Sequence, residues 1–486
     1  MISFCLALVI LFAGYFIYGK FVERVFGIDK NRQTPAYSMT DNVDYVPMSW
    51  WRIFLIQFLN IAGLGPIFGA IMGIMFGTAA FLWIVFGTIF AGAVHDYFSG
   101  MMSIRNRGAS LPELNGNELG IVAKQFMRIF SSLLMILVGA VFISGPAGLL
   151  AGMTPDYINV FWWTVIVFAY YILATLLPVD KLIGKIYPLF GIVLLFMAAG
   201  ILISLFVNDA PIPEITSGLA NRHPAGLPIF PMMFVSIACG AISGFHATQS
   251  PMMARCIKNE KYGRRCFYGA MVAEGVLALI WAAAAASFFG SVDGLQEYVA
   301  KLPEKSNTGA EVVNVISKTW LGTFGGILAL LGVVAAPVTS GDTALRSARL
   351  IVADFLHISQ RRLIKRLIVA LPVFALTFII LFFIPFDVLW RYFAWCNQTL
   401  AVFTLWAITV YLCRNRKNYF ISLVPALFMT AVTSTYIFIA PEGFGLSMIL
   451  SNTAGFSITA ITGILFIYYR NKLHKSNIGL NNRSLQ

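Results

Sequence analysis

Charge is what this sequence has least of. Only 11% of its 486 residues are Asp, Glu, Lys or Arg, against about a quarter in an ordinary soluble domain. With 59% apolar residues and a mean hydropathy of +0.80, that deficit excludes a water-soluble globular protein. Close-spaced cysteines are missing too. Cys5, Cys239, Cys256, Cys266, Cys396 and Cys413 are scattered, which suits small core residues and neither a zinc site nor a disulfide framework. The histidines (His95, His223, His246, His357, His474) are equally dispersed, so no metal-ligand or nucleophile–base cluster marks an enzyme. No catalytic residue, metal or organic cofactor is expected. A phosphate-binding P-loop is absent, which argues against ATP-driven pumping. No loop is long enough for a soluble domain, so a sensor or signalling module built on this scaffold, the alternative function, would have no output domain.

What the sequence does have is long apolar runs. A bilayer is crossed by about 20 apolar residues in a helix, and thirteen such runs are expected between Ile2–Gly19 and Leu446–Tyr469. Among them are Trp51–Phe76, Ala79–Tyr97, Ile229–Met253 and Thr323–Ala344. The net charge of +13 does not imply nucleic acid, because the basic residues sit in short loops between runs. Odd-numbered loops are basic: Lys20, Arg24, Lys30 and Arg32; Arg105, Arg107 and Lys124; Lys181 and Lys185; Arg255 to Arg265; Arg346 to Arg366; Arg414 to Lys417. Even-numbered loops are nearly free of positive charge, or have it offset by acids, as between Ser291 and Gly322. Positive charge stays on the cytoplasmic side, so the N-terminus is expected outside and the C-terminus inside. The first run lacks a basic segment ahead of it and reads as a retained helix rather than a cleaved signal.

Two runs are broken at their middle by glycine. Trp51–Phe76 is interrupted at Gly63-Leu64-Gly65-Pro66-Ile67-Phe68-Gly69, and Ile229–Met253 at Gly240-Ala241-Ile242-Ser243-Gly244-Phe245-His246. Orphaned backbone groups in hydrocarbon cost several kcal/mol each, so such breaks belong where they face a cavity or an ion. Paired breaks in corresponding halves point to the binding site of a secondary transporter. Four intact runs follow each break, giving five-helix units over residues 51–207 and 208–413. An extra helix and loop (1–50) precede them, and two extra helices and a tail (414–486) follow. An odd helix count inverts the second unit. The expected fold class is therefore all-α and polytopic, with about 13 transmembrane helices in an inverted five-plus-five repeat that resembles the leucine-transporter type. The competing reading is that the glycines only let helices pack closely.

Pro66 suits the first position of a half-helix, so the amides around Gly63, Gly65, Pro66 and Ile67 would offer a positive dipole end to a carboxylate. Ser243, Gly244 and His246 add a hydroxyl, backbone and an imidazole from the other side. For coupling, Asp342 in Pro337-Val338-Thr339-Ser340-Gly341-Asp342-Thr343 ranks first, at the end of the ninth run. An acid inside a membrane is by default a functional-site hypothesis. Asp342 either carries a proton or joins the hydroxyls of Thr339 and Ser340 and the carbonyl of Ile61 around Na⁺; a structural pair with Arg346 is the alternative. Glu274 is the competing acid. His95-Asp96, at the expected cytoplasmic end of the third run, reads as a gate or anchor, and Asn60, Asn397 and Gln398 as cavity lining.

Phe58-Leu-Asn-Ile-Ala-Gly63-Leu-Gly65-Pro66-Ile-Phe-Gly69, Leu82-Trp83, Ala91-Gly92-Ala-Val-His95-Asp96-Tyr-Phe and Ser103-Ile-Arg105-Asn-Arg107-Gly108-Ala-Ser110-Leu111 resemble the carbon-starvation protein A family. So do Ala241-Ile-Ser243-Gly244-Phe245-His246, Gly269-Ala-Met-Val-Ala-Glu274 and Asp342-Thr343. The resemblance implies a bacterial inner-membrane symporter related to the amino acid–polyamine–organocation superfamily. It implies peptide uptake during carbon starvation and, in some members, proton-driven pyruvate uptake; the residues themselves leave H⁺ and Na⁺ both open. The chain departs from longer members around Asp342, where they carry a Leu-Asp-Ala-Gly-Thr-Arg-like run. The expected partners are a small carboxylate or peptide and the lipid bilayer.

Overall fold

The computed structural model describes residues 1–151, 154–155, 157–176, 187–302, 308–360, 362–384 and 386–483. Lys181 and Lys185 lie outside these. The chain is helical, and among the described residues the one extended pairing is a bridge between Met48 and Ile257. The first half comprises α1 (Ile2–Phe26), α2 (Trp50–Ile61), α3 (Gly65–Ile74), α4 (Ala79–Arg105), α5 (Leu111–Leu119), α6 (Ile121–Ala151), α7 (Val160–Leu176) and α8 (Tyr187–Val207). After helical pieces at Ile229–Met233 and Phe234–Ser236 come α9 (Ala238–Ala241), α10 (Gly244–Ala254), α11 (Glu260–Phe288) and α12 (Val292–Ala300). The chain ends with α13 (Thr308–Phe355), α14 (Leu363–Phe383), α15 (Phe386–Arg414), α16 (Phe420–Ile439) and α17 (Met448–Arg483).

Among the described residues nine helices are long and apolar enough to cross a membrane, ten if the bent pair α2–α3 counts as one. The sequence led us to expect thirteen, and the difference has local causes. Helix α7 has 17 residues, the segment from Ile229 to Ala254 is in pieces, and α13 is kinked at Gly322, which sits at φ 65°. Two boundaries also move. The third run does not stop near Tyr97 but continues to Arg105, which puts His95 and Asp96 inside the helix, fully buried. The stretch from Ser291 to Gly322 is not simply a loop, since it holds α12 and the start of α13. Helix α13 then runs past Ala344 to Phe355, so Asp342 lies within it rather than at its end.

The outer surface is apolar. Ile2, Leu6, Val9, Phe12 and Phe16 form an exposed stripe at helical spacing along α1, the surface a helix shows to lipid rather than to water. The loops gather at two ends. At one, the Arg105 guanidinium donates to Glu260 at 3.2 Å, Asn259 Nδ2 to the Lys30 carbonyl at 2.7 Å, and Arg414 Nη1 to Glu118 at 3.2 Å. At the other, Arg222 meets Asp293 at 3.0 Å, Gln296 reaches the Met75 carbonyl at 3.0 Å, and Glu214 accepts the Ile2 and Ser3 amides at 2.8 Å each. The first, third, seventh and eleventh loops thus share one end. The N-terminus, the sixth loop and the start of the eighth share the other.

Candidate substrate and coupling site

Both expected breaks are present. α2 ends at Ile61 and α3 starts at Gly65 with a 55° bend between them. In the second half α9 ends at Ala241, Ile242 (φ −159°) and Ser243 (φ −143°) are extended, and α10 starts at Gly244. The two breaks meet. A Cβ added at Gly65 would fall 2.2 Å from Cys239 Cβ, one at Gly69 2.7 Å from the Ser236 carbonyl, and one at Gly73 2.1 Å from Ile237 Cγ1. These glycines, spaced four apart, form one face of α3 that lets two backbones touch, the small-residue packing common between membrane helices. The glycines thus do two things: Gly63 lies in the bend between α2 and α3, and Gly65, Gly69 and Gly73 close α3 against the other half.

The N-terminal end of α10 already carries an acceptor oxygen. Asn397 Oδ1, from α15, accepts the Ser243 hydroxyl at 3.0 Å and the Phe245 amide at 2.7 Å. Asn397 Nδ2 turns to Cys239 Sγ at 3.3 Å. A Cβ on Gly244 would lie 2.3 Å from the Asn397 carbonyl, so glycine is needed there for α15 to approach. Gly63 faces Phe142 and Ser340, with Ser340 Oγ 3.4 Å from where its Cβ would be. Pro66 and Ile67 are buried in the first turn of α3. Beside them Asn60 is fully buried, and neither of its amide atoms has a hydrogen-bond partner among the described residues.

His246 sits in the first turn of α10 and joins a chain of titratable groups. Its Nδ1 is 2.9 Å from Asp96 Oδ2, and His95 Nδ1 is 2.8 Å from Asp96 Oδ1. On its other side His246 Nε2 lies 3.4 Å from Glu274 Oε2. All four side chains are 0% exposed. His95-Asp96, read from sequence as a gate or anchor, is thus central, and the partner that makes it so is 150 residues away.

Asp342 has a different setting. Tyr187 Oη donates to its Oδ2 at 2.5 Å, and Arg346 Nη2 is 4.0 Å from the same oxygen. Arg346 also donates to the Ala174 carbonyl, and Tyr171 donates to the Phe142 and Pro337 carbonyls. These contacts tie α6, α7, α8 and α13 together. Of the hydroxyls expected around Na⁺, Thr339 Oγ1 bonds back to the Ala335 and Ala336 carbonyls, each at 2.9 Å. Ser340 Oγ shares its hydrogen between the Ala336 carbonyl at 2.7 Å and, across the helices, the Leu59 carbonyl in the last turn of α2 at 3.2 Å. The Ile61 carbonyl accepts the Gly63 amide at 2.9 Å.

Comparison with known proteins follows this geometry. The family model described as carbon starvation protein CstA matches residues 1–162 and 153–322. The chain belongs to the CstA family. An uncharacterized membrane protein of Haemophilus influenzae is 46% identical over 62% of this chain and 94% of its own length. The peptide transporter CstA of Bacillus subtilis is 26% identical, covering 90% of this chain and 91% of that one. The pyruvate/proton symporter BtsT of Escherichia coli is 27% identical over 53% of this chain but only 45% of its own length. Among solved structures, a Na⁺-coupled sialic acid symporter aligns with a TM-score of 0.52 over 93% of this chain and 96% of that one, at 14% identity. That likeness is one of fold alone.

Proposed function

We propose that this protein is a secondary active transporter, a symporter that takes up small carboxylates or peptides such as pyruvate or oligopeptides. The observation that carries this reading is the meeting of the two broken helices at Gly65 and Cys239, both breaks being buried in protein. Asn397 Oδ1 on the α10 N-terminus supports the substrate class, because a carboxylate oxygen is the same kind of acceptor with more charge. The substrate site we assign comprises Gly63, Gly65, Pro66 and Ile67 on one side and Ser243, Gly244 and His246 on the other.

The architecture we propose is thirteen spans with an inverted repeat over residues 51–207 and 208–413. The end bearing Arg105, Glu260 and Arg414 is cytoplasmic, because its loops carry the basic excess; the N-terminus is then outside, in a bacterial inner membrane. The relatives named for peptide and pyruvate transport support both candidate substrates and a role in carbon starvation. Uptake of labelled pyruvate and alanyl-alanine into proteoliposomes, under separate H⁺ and Na⁺ gradients, tests the proposal. One substrate should accumulate above its outside concentration under one gradient. Equilibration without accumulation under either gradient, for both substrates, would make the protein a facilitator and end the symport reading.

A further inference from the structure

The chain His95–Asp96–His246–Glu274 has no structural explanation that its surroundings require. It crosses three helices, α4, α10 and α11, with every member fully buried. Burying ionisable groups is expensive, and a buried pair adds little net stability over apolar packing of similar volume. Inside a membrane such groups mark ion and proton pathways. At the two ends of the chain, His95 Nε2 and the Glu274 oxygens accept or donate no hydrogen bond among the described residues, Glu274 Oε2 having only His246 Nε2 beside it at 3.4 Å.

Proton counting narrows what the cluster can be. With Asp96 as a carboxylate, each imidazole Nδ1 must carry a hydrogen to bond it at 2.8 and 2.9 Å. His246 Nε2 then presents a lone pair 3.4 Å from Glu274 Oε2, and two electron-rich atoms so close need one proton between them. In that state the cluster carries a net charge of −1, on Asp96. One further proton, on His95 Nε2 or shared between His246 and Glu274, makes it neutral. Cys239 of α9 is a further titratable group, within electrostatic reach of Glu274 and Asp96. No arginine or lysine is paired with Asp96 or Glu274 among the described residues.

We infer that this cluster is the transporter's proton-coupling site, a role the sequence ranking gave first to Asp342. One proton binds from the side to which the protein is open, neutralises the cluster, and leaves on the other side; no other bond forms or breaks. Closure buries the cluster, and a net charge buried in hydrocarbon costs a few kcal/mol at least, so the closed form favours the loaded state. His246 belongs to the same helix, α10, whose N-terminus takes the substrate oxygen in the proposed site. Movement of α10 would part His246 from Asp96 and Glu274 and open the substrate site together. Proton and substrate therefore bias one two-state element, which is the physical requirement for coupling.

The inference rests on the transport reading, and the test separates the two. Wild-type proteoliposomes holding a pH dye, supplied from outside with the substrate that accumulates, should acidify their interior as substrate enters. Glu274→Gln and Asp96→Asn should each lose gradient-driven accumulation at least tenfold while keeping exchange of labelled for unlabelled substrate within about threefold. If wild type carries neither pyruvate nor alanyl-alanine, the transport reading has failed. If wild type accumulates substrate and both variants still do so with an unchanged pH profile, the cluster is not the coupling site. Loss of exchange together with accumulation, in protein that stays monodisperse, also overturns it, because the cluster would then serve substrate passage. Should the amide variants fail to assemble, Glu274→Asp keeps a carboxyl and should couple with a displaced pH midpoint; an unmoved midpoint counts against the assignment.

Discussion

Asn397 Oδ1 stands 2.7 Å from the Phe245 amide, a side chain of one helix capping the first turn of another. Removing it leaves that amide and the Ser243 hydroxyl unpaired in a dry interior, at about 1–3 kcal/mol. Asn397→Ala should therefore lower the unfolding temperature. Asn397→Asp keeps the cap but adds a negative charge where a substrate carboxylate is proposed to bind. It should leave thermal stability near wild type while raising the KM for uptake at least tenfold. An unchanged KM would remove the carboxylate from the α10 N-terminus.

Asp342 is tied to Tyr187 and Arg346 rather than to a histidine. Its neutralisation should act on stability first, since breaking a buried ion pair costs about 3–5 kcal/mol. Asp342→Asn and Tyr187→Phe should both lower the unfolding temperature, the former more. The transport that remains in each should keep its wild-type pH profile. Accumulation abolished with exchange spared in Asp342→Asn would return the coupling role to Asp342.

Gly73 has no room for a methyl group, its Cβ position lying 2.1 Å from Ile237 Cγ1, whereas Gly148 in α6 has nothing within 4 Å. Overpacking of this kind costs about 1–3 kcal/mol. Gly73→Ala should destabilise and reduce uptake, while Gly148→Ala should leave stability unchanged or raise it slightly. Equal effects at the two positions would mean that α3 does not press on the 236–240 segment.

Sidedness can be read with single cysteines in a background lacking reactive thiols. Ser217 and Lys261 are both exposed, at opposite ends of the bundle. An impermeant maleimide applied to intact cells should label Ser217→Cys and spare Lys261→Cys until the membrane is opened. Labelling of both from outside would break the charge-based topology.

The breaks were legible because their signal is local. Glycine and proline act on their own backbone, so Gly63-Leu64-Gly65-Pro66 and Ser243-Gly244 mark interruptions whatever packs around them. What they pack against was not legible: Cys239 meets Gly65 across more than 170 residues, and nothing in either neighbourhood names the other. Asp96 misled for a related reason. Lying just before a basic loop, it looked interfacial, and only the fold supplies His246. Tyr187, which holds Asp342, belonged to an apolar run with no mark distinguishing it from the other tyrosines. Asn397 drew notice as a polar residue within a span, but its seat on a helix end depends on Gly244 letting α15 come close. Polar partners far apart in sequence are set by tertiary geometry, which local pattern does not encode.

Cys239 lies where the halves touch, 5% exposed, with its sulfur against Asn397 Nδ2 and its Cβ against Gly65. The same crowding makes it a clock. A thiol reagent can reach the sulfur only during the intervals when the two breaks are apart. If the reagent outpaces reclosure, every opening is trapped and the alkylation rate becomes the rate of opening itself. Each modified molecule is then a record of one excursion, and the pace of modification counts turns of the cycle in a protein that need not be transporting anything.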